Sequence, residues 1–319
     1  GSNVREVAGA PAVARAKHFQ SVANLLRTLG VGKLPTVAVL DGPVSGVALG
    51  VGAHASACVV TERTRLALPG AMHGFVPESF ASYQLARLPS GLGAYLALTG
   101  AALTSQELVE LGLATHATES QAVARIETEL GEQRERHLGR LLRNVEIACI
   151  EPRRLPAYTE AHALYYLDAI AECFGGARNV ADVLTRLQSG STEWHGQAHA
   201  ALEASSPLAL SLTFAMLNRA SADLCWTEVL QTEAAVSATA AGSPDCARGA
   251  RGLEGAKREM VREAALLDAA DIDEAEDDDD EEEGLELAPP SEGAAPAWEH
   301  ASLADVEATV LADYFAASH

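Results

Sequence analysis

The chain has 319 residues, of which 48% are hydrophobic, so it can bury a sizeable core and wholesale disorder is excluded. It carries 23 Lys and Arg against 44 Asp and Glu, a formal net charge of −21. Twelve of those carboxylates lie in Asp271–Glu286 without a single base, which leaves −9 for the rest of the chain. This balance excludes a broad basic surface for phosphate backbones, although local arginine clusters stay possible.

Cysteine usage and the most apolar stretch set further bounds. Five cysteines are widely separated and form no Cys-x-x-Cys pair, so neither a zinc site nor a disulfide framework is indicated, and a reducing compartment fits. The most apolar stretch, Gly42–Val60, contains four glycines, a proline and a histidine. That composition predicts a buried loop and helix rather than a membrane span.

The first 120 residues predict alternating helices and strands. In chain order these are helix Val4–Leu29, strand Leu34–Leu40, helix Ser45–Cys58, strand Arg65–Leu68, helices Leu92–Thr99 and Ser105–Leu111, and strand Leu113–Thr118. Leu34–Leu40 is short, apolar and β-branched, as in a strand covered on both faces. Thr104 or Ser105 would cap the helix that follows. The alternation indicates an α/β core.

Beyond residue 120 the pattern becomes mostly helical. The predicted helices are a charged one at Gln121–Asn144, then Ala157–Cys173, Asn179–Leu187, Glu193–Ala204, Pro207–Ala220 and Trp226–Ala240, and a terminal amphipathic one at Leu303–Phe315. An acidic run followed by Ala-Pro-Pro-Ser-Glu-Gly predicts a disordered or partner-dependent insertion. We therefore predict a core at 1–120, a helical region at 121–264, an acidic insertion at 265–296 and a terminal helix at 297–319.

The order of short motifs resembles the crotonase (enoyl-CoA hydratase/isomerase) superfamily, and within it the 3-hydroxyisobutyryl-CoA hydrolase branch. The residues that carry the resemblance are Pro35–Gly42, Ser45–Gly50, Leu68–Glu78, Leu88-Pro89, Gly91–Gly93, Leu96–Gly100 and Gly112–His116. Ser206–Leu210, Asp245–Arg251 and Trp298 resemble segments of the same branch near its C-terminal end. The resemblance implies a crotonase-like spiral core followed by a helical C-terminal region.

The first residues also resemble a family segment. Gly1–Arg5 is similar to a Gly-Gly-Asp-Ile-Arg segment that lies well inside the family's domain. We therefore expect the first strands of the core to be missing here, supplied by another polypeptide, or replaced. The alternative is that Gly1-Ser2 is a cloning remnant.

By this resemblance, two backbone N–H groups would form an oxyanion hole for a thioester oxygen. The matching positions are Ser2 and Val47, the second at a helix N-terminus where the helix dipole assists. The loop here is Gly46-Val47-Ala48, whereas the family has consecutive glycines. Since Val47 adds a branched side chain at the tightest point, we expect a hole that keeps its donors but is obstructed.

The acid and base groups that the family uses are largely absent. The first hydratase glutamate falls at Gly50, and the glutamate on which the hydrolases rely falls at Gly70. Glu78 retains the type of the family's Pro-Asp carboxylate, but Phe80 replaces a glycine and is expected to intrude on the site. His73, three residues after Gly70, is a candidate displaced base, with a plain loop histidine as the alternative. The vestigial pocket would comprise Gly46, Gly70, His73 and Glu78.

No other motif indicates chemistry. His195 and His199 could share a helical face, but the pattern lacks the glutamate of a His-Glu-x-x-His site, so a surface pair is expected. We predict no metal and no bound cofactor.

We therefore expect a catalytically inactive hydrolase-like protein that serves as a structural or interaction subunit. By family resemblance, the expected host is the small subunit of the mitochondrial ribosome, in the matrix, with other proteins as partners. The negative charge predicts little direct RNA contact, and no membrane is expected. One alternative is an active acyl-CoA hydrolase or hydratase in which Glu78 or His73 faces the thioester; another is a non-catalytic acyl-CoA binder. Both need an open pocket for a CoA thioester.

Overall fold

The computed structural model describes residues 4–133, 143, 145, 158–221, 225–251, 298, 302–303, 306 and 308–316. Its α-helices are α1 Val4–Gly9, α2 Ala12–Val31, α3 Val47–His54, α4 Ala81–Leu85, α5 Leu92–Thr99, α6 Ser105–Glu110, α7 Val123–Gln133, α8 Leu167–Cys173, α9 Val180–Ser189, α10 Glu193–Ala204, α11 Pro207–Ser221, α12 Trp226–Ala240 and α13 Ala308–Ala316. Its strands are β1 Val37–Leu40, β2 Pro43–Val44, β3 Ala57–Thr61, β4 Arg65–Leu66, β5 Leu103–Thr104 and β6 His116–Thr118. Short 3-10 turns lie at Ala71–His73, Pro89–Gly91, Ser120–Ala122 and Ala163–Tyr166.

Two small sheets form the framework of the first half. β3 lies at the centre of a parallel sheet, with β1 on one side and β6 on the other. In the second sheet β4 pairs in parallel with β2 and antiparallel with β5. Since β1 and β3 are joined through α3, strands and helices alternate along this part of the chain. The predicted α/β class with a helical C-terminal region is confirmed.

The helix predicted at Ser45–Cys58 is wrong in its last four residues. α3 ends at His54, and Ala57–Thr61 forms β3, in which all five side chains are buried. Hydrophobic periodicity cannot distinguish a buried helix from a buried strand in a continuous apolar run. Pairing on both sides with parallel strands decides for a strand here.

Other boundaries shift for local reasons. The helix predicted over Val4–Leu29 is two helices, because Pro11 lacks an N–H and disfavours helical backbone at Ala10. The strand predicted at Leu113–Thr118 begins only at His116, since the N–H groups of Leu113 and Ala114 both donate to the Leu108 carbonyl.

Helix caps fix several predicted bounds. Thr104 caps α6 in a capping box, because its hydroxyl accepts from the Glu107 N–H while the Glu107 carboxylate accepts from the Thr104 N–H at 2.8 Å. Asn179 caps α9 in the same way, accepting from the Asp182 N–H. The sequence predicts α5, α10 and α12 with the bounds found in the structure.

One large hydrophobic core joins the two halves. It runs from Val44 to Leu217 and includes residues of both sheets, α5 and the later helices α8 to α11. Tyr95 on α5 accepts a hydrogen bond at 3.3 Å from the indole of Trp194 on α10, inside this core. The helical region therefore packs directly on the α/β core.

Some predictions fall on residues outside the described ranges. They are the acidic insertion at 265–296 and most of Gln121–Asn144 beyond α7. The predicted terminal helix is present as α13, Ala308–Ala316. In the described ranges no single helix is long and apolar enough to cross a membrane, while α10 and α11 reach that length only as a pair bent by 109°.

Candidate functional site

The loop between β2 and α3 carries one of the two predicted oxyanion donors. Gly46 has a positive φ of 53°, which favours glycine, and it turns the chain so that α3 begins at Val47. The Val47 N–H lies in the first turn of α3, where backbone N–H groups have no acceptor within the helix. Ser2, the other predicted donor, lies outside the described residues.

Glu78 lies directly against this loop. A Cβ atom added to Gly46 would be only 2.8 Å from the Glu78 Oε1 atom, and Glu78 is 7% exposed. The structure thus brings together Gly46, Val47 and Glu78. A buried carboxylate near the N-terminus of α3 also gains from the positive end of the helix dipole.

Both predicted glutamate positions are glycines, and they differ in how much room a side chain would have. A Cβ atom at Gly50 would meet the Ser79 carbonyl oxygen at 2.3 Å and Leu26 of α2 at 2.8 Å, so this position is filled by its neighbours. Gly70 has right-handed helical backbone before the 3-10 turn, and a Cβ atom there would be 3.1 Å from the Phe75 carbonyl oxygen. A side chain at 70 would need a shift of a few tenths of an ångström.

His73 is half-buried, and its burial lowers its pKa, so the neutral imidazole is favoured. The backbone of His73 packs on Gly249, where a Cβ atom would meet the His73 carbonyl oxygen at 2.1 Å. Glu78, in contrast, packs on Gly46. His73 and Glu78, the two candidate bases, therefore pack on different segments of the chain.

The turn that follows Glu78 has an unusual backbone. Ser79 and Phe80 both have positive φ, 61° and 77°, although neither is a glycine. Left-handed backbone costs such residues about 1–2 kcal/mol each. The turn is held by Glu233 of α12, whose carboxylate accepts from the Phe80 N–H, the Ser82 N–H at 2.6 Å and the Ser82 hydroxyl at 2.5 Å.

Glu233 is 1% exposed, and its pKa is raised to about 7. Burial is the main cause, because it penalises the charged form, and the nearby charge of Glu78 adds to it. The hydrogen bonds from Ser82 and Phe80 oppose the shift. Glu233 was not predicted as a site residue. The available signal is a lone acid on the buried face of α12, at helical spacing from Val229 and Ser237.

Phe80, which was expected to intrude on the site, has its ring among other aromatic side chains. Its ring packs 4.4 Å from the ring of His54, 4.5 Å from Tyr83 and edge-on to Trp226. His54 is the last residue of α3, and seven residues of helix separate it from Val47, about 10 Å along the axis. The left-handed turn directs the ring to the far end of α3.

Cavities beside this turn are very small. One is lined by Ser82, Met216, Arg219, Ala220, Val229, Thr232 and Glu233. The other is lined by Phe19, Val22, Ala23, Glu78, Ser79, Leu230, Glu233, Ala234 and Ser237. Each has about 10 Å³ of space accessible to water, which is room for roughly one water molecule. Pockets for drug-sized ligands measure about 300–1,000 Å³. Neither cavity can admit an acyl-CoA.

Two segments predicted from the C-terminal resemblance meet beside Gly70. The Ser206 hydroxyl donates to the Asp245 carboxylate at 2.5 Å and accepts from the Ala209 N–H, which caps α11. The Ser206 N–H donates to the Ala71 carbonyl at 3.1 Å. Gly74, with φ 65°, lies against the Asp245 carbonyl. The Ser206 and Asp245 segments thus contact the turn that follows Gly70 at Ala71 and at Gly74.

The histidine pair on α10 has separate partners. His195 Nδ1 contacts the Thr192 hydroxyl at 2.6 Å, and His199 contacts Gln188 at 3.0 Å and Glu203 at 3.5 Å. Across the described ranges, no group of three or more His, Cys, Asp or Glu side chains is placed to hold a metal ion.

This combination of an α/β core, a loop that opens α3 and a Pro-Glu turn matches a known family. The family model for enoyl-CoA hydratase/isomerase proteins matches residues 1–260, so the chain belongs to that family. A carnitinyl-CoA dehydratase from Mycobacterium thermoresistibile superposes with a TM-score of 0.75 at 25% identity, covering 99% of this chain and 78% of that one. An enoyl-CoA hydratase from Rhodobacter sphaeroides shares the fold, with a TM-score of 0.71 at 23% identity and coverage of 98% and 77%.

Curated relatives point to the hydrolase branch. The probable 3-hydroxyisobutyryl-CoA hydrolase 3 of Arabidopsis thaliana is 31% identical over 212 residues, which are 62% of this chain and 52% of that protein. The mitochondrial 3-hydroxyisobutyryl-CoA hydrolase of Homo sapiens is 27% identical over 238 residues, 74% and 60% of the two chains. Small ribosomal subunit protein mS47 of Arabidopsis thaliana is 28% identical over 203 residues, 61% and 47%. The chain spans about half the length of the first of these relatives.

Proposed function

We propose that this protein is a catalytically inactive member of the hydrolase-like branch and acts as a structural or interaction subunit. The observation that carries the proposal is Gly70, which leaves the position of the hydrolase glutamate without a side chain. No carboxylate can activate water from that position, and losing a general base typically costs about 10²–10⁴ in rate. Gly50, packed against Leu26 and Ser79, leaves no space for the other family glutamate.

The proposed host is the small subunit of the mitochondrial ribosome, in the mitochondrial matrix. Support comes from the relative named small ribosomal subunit protein mS47, and from hydrolase relatives whose names include "mitochondrial". With a net charge of −21, the chain is expected to contact neighbouring proteins and to make little direct contact with RNA. A scaffold needs only its core and surface, and the core described above is well packed. No cofactor is expected for this role.

Sedimentation of the native protein from a mitochondrial lysate tests the host. We expect the protein to run with the ribosomal small subunit, and to shift when magnesium chelation takes the particle apart. A protein that runs alone near its own mass, or as a small oligomer, would contradict the ribosomal assignment. A matched control is a matrix enzyme of similar size, which should not respond to chelation.

A second candidate function is a working or substrate-binding acyl-CoA thioester hydrolase or hydratase with displaced groups. It is favoured by the retained Gly46 turn, the Val47 N–H at the start of α3 and the Glu78 carboxylate beside them. Thiol release from a 3-hydroxyacyl-CoA tests it, with Glu78→Ala as the control. Turnover that Glu78→Ala abolishes would support this alternative and contradict the inactive scaffold. Calorimetric binding of the thioester without turnover would support a non-catalytic acyl-CoA binder.

A further inference from the structure

The cavity beside Glu78 combines an apolar wall with four polar side chains. Phe19, Val22 and Ala23 of α2 and Leu230 and Ala234 of α12 form the wall. The polar side chains are those of Glu78, Ser79, Glu233 and Ser237. They come from two parts of the fold, namely the strained turn and two positions one helical turn apart on α12. The space is that of about one water molecule.

Two of these polar groups have unmet hydrogen-bonding capacity. Ser79 is 5% exposed and Ser237 is fully buried, and neither hydroxyl has a hydrogen-bond partner among the described residues. Thr239, two residues beyond Ser237 on α12, instead donates back to the Ala235 carbonyl at 3.0 Å. A buried hydroxyl without a partner is costly, so each such group in a folded protein needs an explanation.

The four groups are complementary as donors and acceptors. Each serine hydroxyl can donate one hydrogen bond, and each ionised carboxylate can only accept. A water molecule accepts two hydrogen bonds and donates two. It can therefore accept from Ser79 and Ser237 and donate to Glu78 and Glu233, which gives both hydroxyls an acceptor.

We propose that this cavity is a binding site for one structural water molecule, held by the Ser79 and Ser237 hydroxyls and by the Glu78 and Glu233 carboxylates. The water ties α12 to the left-handed turn at residues 79–80, while α2 supplies part of the apolar wall around it. A sodium ion of similar size fits less well. It would draw on the hydroxyl oxygens and leave both hydroxyl protons without an acceptor. The site does not depend on whether the protein is a scaffold or an enzyme.

The sign of a stability change tests the proposal in the full chain. Ser237→Ala removes one partner of the water, so we expect its melting temperature to fall by about 2–4 °C. If the cavity is dry, the same change removes an unsatisfied hydroxyl and improves helix propensity, so the melting temperature would rise or stay constant. The matched control is Thr213→Val, which removes another buried hydroxyl without a partner that does not line this cavity. It should raise the melting temperature or leave it unchanged.

Coupling between the serines identifies a bridging ligand. Ser79→Ala keeps the strain of the left-handed backbone but removes the hydroxyl. We expect the Ser79→Ala/Ser237→Ala double variant to lose clearly less than the sum of the single losses, because the first change already weakens the water. The measurements are repeated in sodium chloride and in choline chloride at equal ionic strength. Additive losses, a rise for Ser237→Ala, or coupling that requires sodium would each overturn the proposal.

Discussion

Replacing Glu233 by alanine should destabilise the fold far more than a surface substitution on the same helix. Its carboxylate accepts from the N–H groups of Phe80 and Ser82 and from the Ser82 hydroxyl. Without it, two buried backbone donors lose their acceptor, at about 1–3 kcal/mol each. The left-handed conformations of Ser79 and Phe80 also lose their support. We expect the free energy of unfolding to fall by about 2–4 kcal/mol.

Urea unfolding of the full chain, followed by circular dichroism, measures this change at constant pH. The control is Gln231→Ala on the exposed side of α12, which should stay within about 0.5 kcal/mol of the parent. Glu233→Gln keeps an acceptor for Ser82 but turns an amide NH₂ toward the Phe80 N–H, so its loss should be intermediate. A loss below about 1 kcal/mol for Glu233→Ala would refute the view that this carboxylate holds the turn.

Four further outcomes follow from the same structure. The raised pKa of Glu233, about 7 in the folded chain, means that the native state binds the proton more tightly than the unfolded state. Its contribution to stability is present below pH 4.5 and is lost as the pH rises through 7, by up to about 3 kcal/mol. In urea melts, the stability advantage of the parent over Glu233→Gln should therefore shrink from pH 5 to pH 8. A difference that does not change with pH would contradict this. Gly70→Glu should fold, since a Cβ atom 3.1 Å from the Phe75 carbonyl oxygen needs a shift of only a few tenths of an ångström, yet it should show no thioester hydrolysis in a thiol-release assay; turnover above the parent would count against a closed site. Thr104→Ala should lower the unfolding free energy by about 1 kcal/mol through loss of the capping box, and an unchanged urea midpoint would show that the cap is dispensable. Ser90→Gly should raise the melting temperature, because the exposed Ser90 has a φ of 57°, and a fall would mean that unfolded-state entropy outweighs the relief of strain.

Much of the helical architecture follows from local sequence. The bounds of α5 are predictable because Gly91 and Gly100 flank its apolar run at both ends, and those of α10 and α12 follow from their helical apolar spacing. The capping box at Thr104 is equally local, since it needs only two residues three apart. β3 was not predictable in this way, because its five buried residues become a strand only through pairing with β1 and β6.

The candidate site likewise has features that the sequence predicted and features that depend on contacts between distant segments. Gly46 lies against Glu78 in the structure, and the predicted grouping of the two with Gly70 and His73 in one vestigial pocket stays a prediction. The direction of the Phe80 ring and the role of Glu233 depend on a contact between residues about 150 positions apart in the chain. Helical spacing marks Glu233 as a buried acid, but it does not identify the turn that the carboxylate binds. The packing of Leu26 over Gly50 is of the same kind, since it joins α2 to α3.

The turn at Ser79 and Phe80 shows that residues other than glycine can hold a left-handed backbone when a distant carboxylate binds its N–H groups. If Glu233 holds the turn, we expect substitutions at positions 79 and 80 to be tolerated more easily than substitution of Glu233. Divergent members of such a family should therefore drift at these turn positions as long as the acid on the facing helix is present. Loss of that acid should be the event that forces glycine back into the turn or reshapes it.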